Sequence, residues 1–352
     1  MPTIALVSPL PPTQGRLATF GAALADGLET VGVDVTRVDI TTDAGARAGL
    51  LAQSDFAVIQ HDDGIRGGLD GDQLVDLIGG LRVPSILILH TIAKEPSPQQ
   101  RSTLESLVAA TDHVVVLTSA AQTRLCTDYG VDRRKVSVIA HGASATADAQ
   151  MKRPSRPTLV TWGLLRPGKG IERVIDAMPL LRTLPGRPRY QITGPTHPTV
   201  LATEGEEYRT ALTERARLNG TADAVTFDPN YRGRATLSAL IRSATAVVLP
   251  YDSTDQVASS LLVEAVAHGR PVVATAFPHA IELLSNGAGI VVDHDDPDAL
   301  ASALHRVLTQ PRLSGSMAAE ARLMAPSMAW PLVAATYLSL AQRLIAQRRA
   351  LV

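Results

Sequence analysis

The feature that most constrains this chain is an alternation, sustained over almost its whole length, of short β-branched apolar runs with amphipathic helical stretches. Such alternation builds right-handed β-α-β units around parallel sheets. In the first half the pattern predicts strands at Ile4–Ser8, Val33–Val38, Phe56–Gln60, Ser85–His90, His113–Leu117 and Val136–Ile139. The runs IALV, SILIL and HVVVL are apolar almost without interruption, as central strands covered on both faces must be. The winding restarts at Leu159–Trp162, Arg189–Thr193, Ala224–Phe227, Ala246–Leu249, Val272–Ala274 and Gly289–Val292, which predicts a second doubly wound domain.

Between the halves, Asp148–Pro157 reads DAQMKRPSRP, a polar, proline-bearing segment suited to neither helix nor ladder, and it is the expected linker. The expected division is 1–150, 151–331 and a final helix in 332–352 that has no sheet of its own and is expected to cross back to the first domain. A length of 352 residues and a 45% hydrophobic composition suit two buried cores. Thirty-three basic and thirty-four acidic residues leave no global field to attract nucleic acid, and aromatic scarcity argues against a single-strand platform. The single cysteine, Cys126, excludes a disulfide framework and a thiolate cluster. The N-terminal sequence lacks a basic region and a long apolar run, and no stretch reaches about 18 apolar residues, so a cytoplasmic protein without an integral membrane segment is expected.

Ligands of open α/β sheets bind beyond the carboxyl ends of the strands, at a switch in strand order, and two such domains are expected to flank an interdomain cleft. Residues 163–170, GLLRPGKG, follow one strand and precede the helical run IERVIDAM. Glycines, a helix N-terminus and the cations Arg166 and Lys169 together favour anion capture; a solvated turn is the alternative. The spacing nearly matches the phosphate loop of nucleotide hydrolases, but Gly170 stands where the magnesium-binding Ser or Thr would be.

After AVVLP comes YDSTDQVASSLLVEAVAHGRPVVAT, in which a helix is expected to begin near Val257 or Ser259 and end before Gly269. Its first turn would present amides around Ser259, Ser260 and Leu261 to an anion. Glu264 lies in the apolar stretch LLVEAVAH, where a carboxylate requires a partner: a pair of ligand hydroxyls, or an internal arginine or backbone N–H.

These two segments, in this order and about eighty residues apart, resemble the donor-binding half of the family 4 retaining glycosyltransferases of GT-B fold. PPTQGRLATF resembles the glycine loop of that family, QHDDGIRGG and LHTIAKEP its acceptor-side loops in a bacterial group, and VSVIAHG the end of its first domain. The resemblance implies two Rossmann-like domains and transfer of a hexosyl group, with retention, from a nucleotide sugar such as GDP-mannose or UDP-glucose to a carbohydrate or small-molecule acceptor. It implies that Gly163, Arg166 and Lys169 meet the diphosphate, that Glu264 holds the ribose, and that the amides after Gln256 meet the sugar or distal phosphate. Gln256 stands where the family usually has glutamate; it keeps an acceptor but loses the charge, which removes a carboxylate nucleophile there.

His90 stands at a strand end, and the resemblance implies that it lies against the transferred sugar; a hydrogen-bonded structural histidine is the alternative. His61 and Asp62 occupy the neighbouring strand end, and Gly15 the glycine loop, all on the acceptor or sugar side. His279 opens a helix and would either contact the sugar or cap. Catalysis by His90, Arg166 and Lys169 would need no metal and no cofactor beyond the nucleotide sugar itself. The pairs Asp70/Asp72 and Asp293/Asp295 match the short metal signature of the GT-A fold, but both lie in turn-like sequence and are not assigned to metal. Two alternatives keep the scaffold: a non-catalytic nucleotide-sugar-binding partner of another transferase, motivated by Gln256, and a sugar phosphorylase.

Overall fold

The structure, a computed structural model, describes residues 2–10, 13, 15–40, 42–62, 71–144 and 156–350. The chain divides into two compact units, one made of Met1–Gly142 with Ser327–Val352, the other of Ala143–Pro326. The expected linker lies, up to residue 155, outside the described residues.

The first unit runs β1 (Thr3–Ser8), α1 (Arg16–Thr30), β2 (Asp34–Asp39), α2 (Ala44–Ala52), β3 (Phe56–His61), α3 (Gly71–Gly79), β4 (Ser85–Leu89), α4 (Pro98–Ala110), β5 (His113–Val116), α5 (Ser119–Asp128) and β6 (Val136–Val138). Its six strands are parallel in the order β2-β1-β3-β4-β5-β6. The apolar runs occupy interior positions: every residue of β4 and β5 is buried, whereas only Val38 is buried in edge strand β2. Continuous apolarity is therefore the mark of strands with helices on both faces. Strand order reverses between β1 and β3, which puts the loops after these strands at the switch point.

The second unit runs β7 (Thr158–Trp162), α6 (Ile171–Leu181), β8 (Arg189–Thr193), α7 (Pro198–Glu204), α8 (Glu207–Leu218), β9 (Val225–Asp228), α9 (Arg234–Ser243), β10 (Ala246–Leu249), α10 (Ser260–Ala267), β11 (Val272–Thr275), α11 (Pro278–Leu284), β12 (Gly289–Val292), α12 (Pro297–Thr309) and α13 (Pro311–Met324). Its six parallel strands are ordered β12-β11-β10-β7-β8-β9. A core of Leu159, Val174, Ile175, Met178, Tyr190, Val248, Val273 and Leu304 fills the space between sheet and helices. The reversal here falls between β7 and β10, so the loops at 163–170 and 251–259 flank it.

The last helix, α14 (Trp330–Arg349), belongs to the first unit and lies along α1. It buries Trp330, Val333, Tyr337, Leu340 and Leu344. All twelve strand segments expected from sequence are present, with ends shifted by a residue or so; His90 lies just beyond β4 rather than inside it.

Candidate functional site

In the second unit the two switch-point loops are fastened to each other by backbone and charge. Gly170 is the N-cap of α6 with φ 64°, and a Cβ at this position would lie 1.7 Å from the carbonyl oxygen of Pro250, at the end of β10. Only glycine fits, which is the physical reason no Ser or Thr follows Lys169. Asp252 N–H donates to Gly168 O at 3.1 Å, and Arg173 Nε meets Asp252 Oδ1 at 3.0 Å. Gly163 N–H donates to Thr193 O at 2.9 Å, tying the start of the loop to β8.

Lys169 Nζ sits 4.5 Å from the centre of the Tyr251 ring, a cation–π contact that holds the ammonium beside the strand end. Arg166 is exposed. His197, the N-cap of α7, lies near both cations: burial first, then Arg166 and Lys169, hold its imidazole below the ordinary histidine pKa. The loop thus carries two cations, Arg166 and Lys169, with the His197 imidazole near both.

The facing helix is built by a polar hinge. His279, buried on α11, accepts the Ser259 N–H at its Nδ1 (2.8 Å), so its proton resides on Nε2; burial pushes its pKa down to about 4. Ser259 Oγ in turn accepts from Leu262 N–H at 3.3 Å and caps α10. The Ser259 amide, expected among the anion donors, is thus committed to His279. The N–H groups of Ser260 and Leu261 remain without hydrogen-bond partners among the described residues, as first-turn amides do. Gln256, half-buried, donates from Nε2 to Ala258 O at 2.6 Å, while its own carbonyl lies 3.4 Å from His279 N–H. Tyr251 stacks on Phe277 at 5.0 Å, and Thr275 Oγ1 donates to Tyr251 O at 2.7 Å, so β10, β11 and α10 share one scaffold.

Glu264 lies one turn further along α10. Its Oε1 accepts the Ser144 N–H at 3.2 Å and its Oε2 lies 3.5 Å from His268 Nδ1. Burial raises its pKa to about 7, against the smaller opposing pull of the Ser144 amide and Arg234. Of the two partners open in the sequence, a backbone N–H is present, and the weakly solvated carboxylate retains capacity for more.

In the first unit, Gly15 is the N-cap of α1 and Arg16 opens that helix. The Arg16 guanidinium grips Asp62 Oδ2 through Nε, at 3.1 Å, and through Nη2. Thr91 Oγ1 donates to Asp62 Oδ1 at 2.7 Å. Burial pushes the Asp62 carboxyl up, but Arg16 and the Thr91 hydroxyl outweigh it and hold the pKa below the usual value. Asp62 therefore acts on its neighbours, with both oxygens occupied. His61 ends β3, half-buried, and its carbonyl accepts from His90 N–H at 3.1 Å. His90 is 1% exposed and packs edge-on against Phe20, with ring centres 4.7 Å apart.

The structure thus brings Gly163, Lys169, Gln256, Ser259, Ser260, Leu261 and His279 to one end of the second sheet, with Arg166 and Glu264 on the same loop and helix, and Gly15, His61, Asp62 and His90 to one end of the first. Sequence reasoning missed Tyr251, His197, Arg16, Gln60 and Thr91. A lone tyrosine at a strand end and an arginine directly after the glycine loop were visible signals; the side-chain pairings were not. Asp293 and Asp295 are exposed, and Asp70 lies outside the described residues. Among the described residues no group of three or more His, Cys, Asp or Glu is placed to hold a metal ion.

Solved structures decide the architecture. A glycosyltransferase from Rickettsia africae superposes with a TM-score of 0.74 at 13% identity, covering 97% of this chain and 98% of that one. The fold is GT-B. The Anabaena protein HepE, in complex with UDP and glucose, shares this GT-B architecture, with a TM-score of 0.71 at 16% identity over 97% of this chain and 100% of its own. Residues 156–310, most of the second GT-B domain, match the family model for glycosyl transferases group 1. Among curated proteins, a D-inositol 3-phosphate glycosyltransferase of Salinispora arenicola is 28% identical over 281 residues, 70% of this chain and 61% of the relative. One from Frankia alni is 29% identical over 280 residues, 70% of this chain and 65% of the relative. The chain spans about three-fifths of the length of the first of these relatives. No helix among the described residues is long and apolar enough to cross a membrane.

Proposed function

We propose that this chain is a glycosyltransferase that moves a hexosyl group from a nucleotide diphosphate sugar to an acceptor hydroxyl with retention at the anomeric carbon. The observation that carries this reading is the convergence of Lys169, Arg166 and the unpaired amides of Ser260 and Leu261 at the switch point of the second sheet. The chemical demand of such a transfer is to stabilise charge on a departing diphosphate while an oxocarbenium-like centre forms. Fixed cations and helix-terminal dipoles meet that demand without reorganising at the moment of reaction. The match of residues 156–310 to group 1 glycosyl transferases supports the same assignment.

In this reading Gly163, Arg166 and Lys169 take the diphosphate, and Glu264 accepts the ribose hydroxyls. The α10 amides take the distal phosphate or sugar, and His90 lies on the sugar side with Gly15, His61, Asp62 and His279 near the sugar or acceptor. The leaving phosphate itself takes the acceptor proton, since Gln256 supplies no carboxylate. UDP-glucose and GDP-mannose are the first donors to try; HepE was crystallised with UDP and glucose.

A thermal-shift screen against nucleotide sugars tests binding, because a ligand that prefers the folded state raises its melting temperature. One of the two donors is expected to raise it. Lys169→Ala and Arg166→Ala are each expected to lower transfer by at least about tenfold, roughly 1.4 kcal/mol in the barrier. No shift with any nucleotide sugar would defeat the reading, and unchanged turnover in both variants would defeat the assignment of Lys169 and Arg166 to the diphosphate.

A further inference from the structure

A buried hydrogen-bond chain in the first unit ends on His90, and its direction can be read from its fixed end. Backbone carbonyls only accept. Ser8 Oγ lies 2.9 Å from Pro9 O and 3.3 Å from Leu17 O, so its single proton is directed at a carbonyl. Ser8 Oγ must then accept from Gln60 Nε2, 2.8 Å away, and the same nitrogen reaches Leu17 O at 3.4 Å. Two acceptors on one side fix the amide: Nε2 faces Ser8 and Leu17, and Oε1 faces His90 Nε2 at 2.8 Å. An amide oxygen only accepts, so His90 Nε2 must carry a proton. Burial and the nearby Arg16 disfavour a second proton on the ring, leaving Nδ1 as a bare acceptor. This atom is buried and has no partner among the described residues. All three side chains are at most 5% exposed, and a Cβ on Gly21 would come within 2.3 Å of Ser8 Oγ, so α1 closes over the chain only because residue 21 is glycine.

We propose that Ser8 and Gln60 are positioning residues that lock His90 in its Nε2–H tautomer, so that Nδ1 is held ready to accept a hydrogen bond from a hydroxyl of the bound sugar. Native structures seldom leave a buried acceptor unpaired. A sugar hydroxyl is a donor of the right class, and this half of the inference rests on the transferase reading above. The lock itself does not. Without the relay the two neutral tautomers of a buried imidazole would interconvert, and the Nδ1–H form would reverse the contact, so that the sugar hydroxyl would have to accept and place its own proton elsewhere.

The test is nitrogen-15 NMR of histidine-labelled full-length protein, with His90 assigned by a His90→Asn variant. The expected spectrum has a protonated Nε2 and an unprotonated Nδ1 in the unliganded protein, and an Nδ1 resonance that moves toward the hydrogen-bonded range on saturation with UDP-glucose or GDP-mannose, whichever is turned over. In Gln60→Met, and more weakly in Ser8→Ala, His90 is expected to show mixed tautomers, with kcat about tenfold lower and the donor KM within about twofold of the parent. An Nδ1–H tautomer in the unaltered protein would overturn the lock whether or not the variants fold. An Nδ1 resonance unmoved by bound donor would overturn its role toward the sugar. A protein that transfers no sugar yet keeps the Nε2–H form defeats the transferase reading alone and upholds the lock.

Discussion

Gly170 and Glu264 show how single residues in this chain answer to backbone and burial. Gly170 combines a left-handed φ with a carbonyl where its side chain would be. Gly170→Ser would restore the hydrolase-like spacing on paper, yet it is expected to destabilise the second unit by about 2 kcal/mol or more, from strain and displacement of the β10 end. Chemical denaturation measures this, and an unaltered midpoint would show that the loop can yield. Glu264 is a carboxyl whose folded pKa, about 7, exceeds the ordinary 4.5 because burial disfavours its charge. The folded state then binds more protons than the unfolded state between those values, so the contribution of Glu264 to stability falls as pH rises from about 4.5 to 7. Glu264→Gln removes that fall: its stability relative to the parent is expected to climb across this window by up to about 3 kcal/mol. In the proposed site the ionised form accepts the ribose, so nucleotide affinity of the parent should strengthen from pH 6 to 8 and that of the variant should not. Parallel unfolding curves for the two proteins at pH 5 and 7 would remove the basis for this assignment.

At the scale of elements, α10 depends on a bond from outside its own sequence. His279 on α11 takes the Ser259 N–H, which frees Ser259 Oγ to cap and leaves the next two amides open. His279→Phe keeps the ring's bulk but strands a buried donor, a loss of about 1–3 kcal/mol. The second unit is expected to melt roughly 5 °C lower, with weaker nucleotide binding because the amides it orients drift; calorimetry with and without UDP reads both. Equal melting temperatures and equal affinities would mean that α10 is held by its apolar face alone. The strands around this helix were legible in the sequence because a parallel strand buried on both faces can carry little but apolar residues, as β4 and β10 do. The boundaries of α10 were legible too, from Ser259 and Gly269. The role of His279 was not: twenty residues separate it from Ser259, and only the packing of α11 against the start of α10 decides between capping and ligand contact. Likewise Asp62 reads as a free strand-end acid until Arg16 and Thr91, forty-six and twenty-nine positions away, are seen to occupy both its oxygens.

The whole molecule is two doubly wound units, and the chain passes from the first to the second and back. What returns is α14, the last element among the described residues. Its five large buried side chains lie in the first unit, where Trp330 meets Phe20 at 5.1 Å and His141 at 5.5 Å. Burial of side chains this size contributes about 1.5–3 kcal/mol each, so the helix supplies on the order of 10 kcal/mol of gross apolar stabilisation. That equals the whole net stability of an ordinary domain, about 5–15 kcal/mol. Removal of Ser327–Val352 should therefore unfold the first unit and leave the second, whose core receives none of these side chains. Hydrogen exchange followed by mass spectrometry on the truncated chain is expected to show β1, β3 and β4 unprotected while β7, β8 and β10 keep their protection. Uniform loss of protection would make the two units one cooperative body, and uniform retention would make α14 dispensable to the sheet it covers.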